Sequence, residues 1–428
     1  MDHGAERTPP PDAGASSDRI SRFAWIIGVG TFATNMSVPD ALDIPIRNLL
    51  KNDLHLSPVQ MATFFALAAL PWYCKVVVGL LSDTIPFFGT RRRHYLLASS
   101  ATAGILWLLA GLVPGDYSFL LVVLLAVNCA IMTASTVLGG LLAETEQRLR
   151  SGGRLIAVSN FVENVCLIIV GPLAGFLATM QFGITAMAGA VAALSVVPVA
   201  LVWLREAPIT RAATHGGAVA QLHILVRSRV VWGAGLFLFI AAIPQELGTP
   251  VFYYLRDELG LSVVTIGWVR SASGIGGLLA AALFYRTVAG RYGLRTVLAL
   301  GIGCGAVAMF LYMFYRSLPA VIMVEFGHGF LLSVAIQSMI QLAVWATPPT
   351  CAATGFALLM GALNAGDAVG DILAAELIDR FSMSIFAVAS IYGVVLSVIL
   401  VALVLAPRII PKAVGTRQRG ARWPSERC

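Results

Sequence analysis

Two cations and a series of carboxylates lie inside stretches of this chain that are otherwise apolar. Lys75 and Arg270 interrupt such stretches, and so do Asp40, Glu163, Glu246, Glu325 and Asp367. An ionisable group at the centre of a bilayer costs roughly 2.5–3.5 kcal/mol on insertion scales, so each of these residues is a functional candidate. A guanidinium such as Arg270 grips an anion through two parallel hydrogen bonds, or else clamps a carboxylate within the bundle. Lys75 has the same choice between an anionic ligand and a bundle-closing ion pair. A desolvated carboxyl holds its proton more firmly than a solvated one, which makes Glu163, Glu246, Glu325 and Asp367 candidates for proton exchange.

Spacing adds to residue type. Asp40, Asp43 and Arg47 fall at i, i+3 and i+7, one helical face, between Pro39 and Pro45, which predict a kink. Asp40 is the deepest of the three, while Arg47 reads as an ion-pair partner near the headgroups. Asn160, Glu163 and Asn164 share a face, as do Asn364, Asp367 and Asp371. Pro244-Gln245-Glu246 interrupts an apolar run near its middle. His328, three residues after Glu325, reads as a satisfied interior histidine. Together these charges predict a polar cavity with cations and carboxylates roughly in balance.

The elements that must hold them are membrane helices. The 428 residues are 58% hydrophobic and 12% charged, with mean hydropathy +0.83. Soluble domains carry roughly 25% charged residues, so a soluble enzyme, a disordered scaffold and a secreted disulfide module are all excluded. The six cysteines show no close pair and no metal-ligand spacing. A crossing helix takes about 20 apolar residues. Uncharged runs of 27 residues separate Asp116 from Glu144 and Arg380 from Arg408, and runs of 41 separate Glu163 from Arg205 and Glu325 from Asp367. The long runs break at 180–183 and at Thr347-Pro348-Pro349-Thr350. With the spans at about 23–50, 57–82, 94–113, 229–257, 262–287 and 296–315, the count is twelve.

Lysine and arginine placement predicts the orientation. With the N-terminus inside, 22 cations fall on the inner segments and 5 on the outer ones, which puts both termini in the cytoplasm of a multi-pass protein of the plasma membrane, a bacterial inner membrane. The net charge of +7 is thus a topology label rather than a sign of a nucleic-acid partner. The expected organisation is a disordered tail at 1–20, a six-helix bundle at 21–205, a cytoplasmic linker at 206–228, a second bundle at 229–407 and a basic tail at 408–428.

The halves repeat. Residues 49–57 read LLKNDLHLS and residues 254–262 read YLRDELGLS, an offset of 205; Gly89-Thr90-Arg91 and Gly293-Leu294-Arg295 agree at 204. Two similar six-helix bundles about a pseudo-two-fold axis place a site between them.

A loop after the second span carries the most specific signal. It runs Pro71-Trp72-Tyr73-Cys74-Lys75, then Gly79, Ser82-Asp83, Pro86, Gly89 and Arg91-Arg92-Arg93, ending at Tyr95. Gly79 permits close helix approach, and Asp83 can latch to arginines in one state and release them in another. Arg91 and Arg92 are either partners of that latch or anchors at anionic headgroups. This arrangement resembles the loop between helices 2 and 3 of the major facilitator superfamily, in the longer form of the folate-biopterin transporter family. Leu54 to Pro58, Gly267 to Arg270, Tyr285 to Arg295, and Thr354 to Met360 with Asn364 and Gly366 are similar to further segments of that family, so the resemblance covers about residues 20–405. Val76-Val77-Val78 and His94 depart from its pattern.

The resemblance implies an all-α, twelve-helix major facilitator fold and a secondary transporter working by alternating access, by proton-coupled uptake of a folate or pterin-like organic anion. A pterin edge offers two adjacent donors to a carboxylate, its ring suits an aromatic face such as Trp72, and a folate tail would call on Lys75 or Arg270. Substrate contact is thereby expected of Lys75, Arg270, Asp40, Glu163, Asn160, Trp72 and Asn364. Proton coupling is expected of Glu246, Asp367 and Glu325, and gating of Gly79, Asp83, Gly89, Arg91 and Arg92. The expected partners are the substrate, protons and lipid, with the protein a monomer and no cofactor or metal. A carrier of sugars or other small polar metabolites, and a non-transporting assembly factor of the same fold, remain the alternatives. No phosphate-binding glycine loop or nucleophile motif supports an enzyme.

Overall fold

A computed structural model describes residues 13–84, 88–90, 92–149, 154–204, 223–288, 291–348 and 352–405. Every regular element among them is helical. Among the described residues, nine helices are long and apolar enough to cross a membrane, and they coincide with nine of the twelve expected spans. Of the other three spans, the first two are broken and the fifth is one continuous helix with Pro172 inside it. The first folds as α1 (Ala13–Ser37) and α2 (Asp43–Asn52), the second as α3 (Pro58–Ala68), α4 (Leu70–Tyr73) and α5 (Lys75–Thr84), and the fifth is α8 (Arg154–Leu177).

The breaks have local causes. Pro39 supplies no amide hydrogen, and the chain leaves helical geometry between Ser37 and Asp43 rather than bending gently. The carbonyl freed at Ser37 is taken by the buried indole of Trp107, 2.7 Å away. Pro71 acts likewise in the second span, and the freed carbonyl of Ala68 accepts from the Asn128 side chain at 2.9 Å. Carbonyls released in lipid need such partners, so each break is matched by a polar side chain of a neighbouring helix.

The remaining elements of the first half are α6 (Arg93–Leu112), α7 (Tyr117–Leu149), α9 (Phe182–Leu194) and α10 (Val196–Trp203). The second half contains α11 (Arg229–Ala242), α12 (Gly248–Tyr253), α13 (Val263–Thr287), α14 (Leu294–Leu311), α15 (Leu318–Ala346), α16 (Ala352–Asp379) and α17 (Ile385–Leu405). Between α11 and α12 lies the expected interruption: a 3₁₀ turn at Ile243–Gln245, non-helical at Pro244, then an extended Glu246.

The internal repeat is geometric as well as sequential. His55 and Gly260, 205 residues apart, both take left-handed backbone angles, with φ of 50° and 61°. Around them the same bonds recur: Leu56 N–H to Leu50 C=O at 3.0 Å, and Leu261 N–H to Leu255 C=O at 2.9 Å. Each turn ends in a serine, Ser57 or Ser262, whose hydroxyl caps the next helix. Both turns lie at one end of the bundle, termed the distal end below.

The halves meet along two seams. In one, α8 crosses α13 with backbones nearly touching: a Cβ on Gly171 would stand 2.3 Å from the Gly267 carbonyl oxygen. In the other, α16 packs against α3, α4 and α5. What the two seams enclose is a polar interior.

Candidate functional site

The distal end is closed by bonds between the halves. Arg47, only 8% exposed, donates from Nε to Asp43 at 3.1 Å and from Nη1 to the Thr249 hydroxyl at 2.6 Å. That hydroxyl donates onward to Asp371 at 2.5 Å, and the Thr249 N–H reaches the other Asp371 oxygen at 2.8 Å. Thr249 is available for this because the break at Pro244 to Glu246 starts a new helix at Gly248, one residue earlier. Arg270 closes the other side of Asp43 with an ion pair and reaches the Asp40 carbonyl at 3.2 Å. Nearer the surface, Lys51 pairs with Asp257 at 2.7 Å, and the Tyr253 hydroxyl donates to the Leu56 carbonyl. One carboxylate, Asp43, thus holds a guanidinium from each half.

Beside this latch lies a chamber of about 430 Å³. Phe65, Trp72 and Tyr73 form an aromatic wall, and Asp40, Asn364, Asp367 and Asp371 a polar one. The break in the first span turns Asp40 toward the chamber, and the i, i+3, i+7 spacing on α16 brings in its three polar residues together. The Trp72 indole is oriented by Asn128, which accepts its N–H at 2.9 Å. Among the described residues, the side chains of Asp40, Asp367 and Asn364 make no hydrogen bond or ion pair. They are open groups facing a space of ligand size, since small-molecule sites run from about 300 to 1,000 Å³.

A second chamber of about 330 Å³ adjoins the first, sharing Asp40, Arg47 and Glu246 with it. Glu246 accepts from the Gly248 N–H at 2.8 Å, capping the start of α12. Glu325, 8% exposed, accepts from the Tyr315 hydroxyl at 2.8 Å, and His328 and Arg270 line the same space.

The expected site residues therefore separate into groups. Asp40, Trp72, Asn364 and Asp367 meet in the first chamber, Arg270 and Glu325 in the second, and Glu246 between them. Lys75 lines neither; its ammonium stands 5.2 Å from the Trp72 ring centroid, and its carboxylate counterpart is Glu163 of its own half. Glu163 is exposed. Gly89 has φ +78°, the left-handed turn that a glycine makes without strain. The Arg92 guanidinium is buried against Gly140 of its own half. Gly79 and Asp83 fall within α5, but their side-chain surroundings, the side chain of Asn160, and all of Arg91 lie outside the described residues. Of the expected tails and linker, residues 1–12, 206–222 and 408–428 lie outside them too, while 13–20 form the start of α1 instead of a disordered tail.

Three expectations change. Arg47 is an ion-pair partner, but a buried one at the centre of the latch rather than one near the headgroups, because the break at Ser37 to Asp43 redirects α2 inward. His328 is buried but not satisfied: neither ring nitrogen has a hydrogen-bond partner among the described residues. The charges are not balanced either, since six carboxylates line the two chambers against Arg47 and Arg270. Thr249 and Asn128 were not singled out by type. Asn128 left a trace as an amide in the middle of an uncharged run; a threonine beside Pro250 left none.

Comparison with known proteins fits this geometry. The chain is 29% identical over 348 residues to the folate-biopterin transporter of Synechocystis sp., a match covering 75% of this chain and 68% of that protein. It is 21% identical over 229 residues to folate transporter 1 of Plasmodium falciparum, covering 53% of this chain and 45% of that one. Among solved structures it is similar to the nucleoside transporter NupG, at TM-score 0.63 and 14% identity over 90% of this chain and 97% of that one. It is also similar to a D-xylose-proton symporter, at TM-score 0.69 and 14% identity over 93% and 99%. These likenesses place the fold among the major facilitator transporters, and the relatives are transporters rather than enzymes. The chain is a multi-pass membrane protein of the transport class, and with residues 42–414 matching the family model it belongs to the BT1 family.

Proposed function

We propose that this protein is a secondary active transporter that takes up a folate or pterin-like compound by alternating access, coupled to protons. The observation that carries the reading is the first chamber, where open carboxylates face an aromatic wall across a space of about 430 Å³. A pterin ring presents adjacent N–H donors along one edge, which suits Asp40 or Asp367, and a flat π face that suits Trp72, Phe65 or Tyr73. The names of the relatives supply the same substrate class.

The surplus of acids supports proton coupling. Six carboxylates beside two guanidinium groups cannot all stay ionised in a dry interior, because unpaired buried charge is expensive. Protons supply the balance, and Asp367, with no hydrogen bond or ion pair among the described residues, is the acid best placed to exchange one. Since most arginines lie toward the other end of the bundle, the Arg47 latch closes the outer side, with both termini cytoplasmic and the protein a monomer in the plasma membrane.

A thermal-shift screen of the purified protein with pterins, folates, sugars and nucleosides tests the substrate class without assuming a direction of transport. Stabilisation by a pterin or folate, and by neither sugars nor nucleosides, is expected. Stabilisation by a sugar alone would replace this reading with a sugar carrier.

A further inference from the structure

The chamber of about 330 Å³ contains more than the latch requires. His328 is 7% exposed, lies with its ring centroid 5.0 Å from that of Tyr312, and leaves both ring nitrogens without a partner among the described residues. A neutral imidazole carries one donor and one acceptor, and a buried pair left unmade destabilises the fold. The ring is thus matched to a group that none of the described residues provides. Near it, Arg270 uses Nη1 on Asp43 and Nη2 on the Asp40 carbonyl, with further guanidinium donors to spare. Phe252 and Val269 give the same chamber an apolar side.

We propose that this chamber seats the arm of a conjugated pterin, an aryl amide ending in a carboxylate, while the pterin ring occupies the neighbouring chamber; the inference rests on the substrate class proposed above. The aryl group packs against Phe252 and Val269. The amide meets a ring nitrogen of His328, and the terminal carboxylate meets Arg270. Because both chambers are bounded by Asp40, Arg47 and Glu246, a ligand crossing that boundary touches both halves of the protein.

Glu325 sets a condition on the arm. Its carboxyl faces the same space, with Tyr315 bonded to it, Ser273 and Arg270 opposite on α13, Glu246 at the break, and Asp40, Asp43 and Arg47 from the first span. An ionised Glu325 and an arm carboxylate repel each other, so the arm enters together with a proton on Glu325. The bare ring carries no such condition.

The test compares 6-hydroxymethylpterin, the ring alone, with folate and 5-formyltetrahydrofolate, which carry the arm, by binding to the full chain in detergent. The wild type is expected to bind the conjugates about tenfold more tightly than the ring. His328→Leu lowers conjugate affinity by about tenfold and leaves the ring within about twofold, while His328→Gln, which keeps a donor and an acceptor, recovers part of the loss. Retained ring binding certifies that a variant is folded; should His328→Leu bind neither ligand, His328→Gln carries the same comparison. Equal loss for ring and conjugates in a variant that still binds the ring, or no loss for either, overturns the inference alone. Failure of the wild type to bind any pterin overturns the substrate class and this inference with it.

Discussion

Arg47 and Thr249 are 202 residues apart in sequence and 2.6 Å apart in space, joined by a bond that runs between the two halves of the protein. The threonine hydroxyl has one proton, and it goes to Asp371 at 2.5 Å, so a single side chain relays a cation of one half to a carboxylate of the other. Replacing it by valine keeps the shape and removes the relay. Thr249→Val is expected to cost about 1–3 kcal/mol, the range for stranding buried polar partners. A lowered melting temperature in detergent checks this; an unchanged one would mean the bond carries no load.

Lys51 and Asp257 also join the halves, but nearer the surface, with Asp257 about half exposed. Exposed pairs contribute at most about 1 kcal/mol, so Lys51→Ala should leave the melting temperature almost unchanged. The position matters for motion instead. A cleavable thiol cross-linker between Lys51→Cys and Asp257→Cys should stop uptake by holding the distal end shut, and cleaving the linker should restore it. Uptake that continues through the cross-link would contradict alternating access at this end.

Asp367 and Asp371 lie one turn apart on α16 and should behave differently. Asp371 is tied to Thr249 by two bonds, so Asp371→Asn chiefly costs stability. Asp367 is open to the chamber, so Asp367→Asn should fold normally and bind substrate, yet lose acceleration by a proton gradient. Wild-type uptake should fall as external pH rises, whereas the Asp367→Asn rate should stay flat. A variant that still responds to pH would remove Asp367 from the coupling step.

Asn128 orients Trp72 and satisfies the carbonyl at the break in the second span. Asn128→Leu removes both bonds and should weaken pterin binding with loss of stability of about 1–3 kcal/mol. Trp72→Phe keeps an aromatic face and should bind more tightly than Trp72→Ala. Equal affinity of the phenylalanine and alanine variants would show that the ring does not stack there.

Gly171 sits where α8 crosses α13, and an added Cβ would stand 2.3 Å from the Gly267 carbonyl oxygen. Backbone cannot yield as a side-chain tip does, so Gly171→Ala should lower the melting temperature sharply. Gly139→Ala, with nothing within 4 Å, is the matched control and should be neutral. Similar melting temperatures for both would place the crossing elsewhere.

Much of this architecture was legible in the residues. Pro244-Gln245-Glu246 announced a break because proline cannot continue a helix, and the chain does leave helical geometry there. The Asn364, Asp367 and Asp371 spacing announced a polar face, and all three line one chamber. The Leu-x-Leu-Ser repeat, at 54–57 and 259–262, announced two matching turns, to which the structure adds a left-handed residue in each. Arg47 was not legible. A cation close to the end of a span looks the same in sequence whether it snorkels outward or turns inward, and only the path of the chain between Ser37 and Asp43 decides. His328 was misleading for a related reason: burial follows from its apolar surroundings, but whether its nitrogens find partners depends on helices far away in sequence. The acid surplus was likewise hidden, because residue type cannot tell which charges share a chamber.

Uptake of labelled folate or pterin into vesicles containing the purified protein, with and without an inward proton gradient, tests the central claim most directly. Uptake above that of empty vesicles, accelerated by the gradient and abolished by collapsing it, is the predicted result. Uptake equal to that of empty vesicles for every pterin and folate, under either condition, would contradict it.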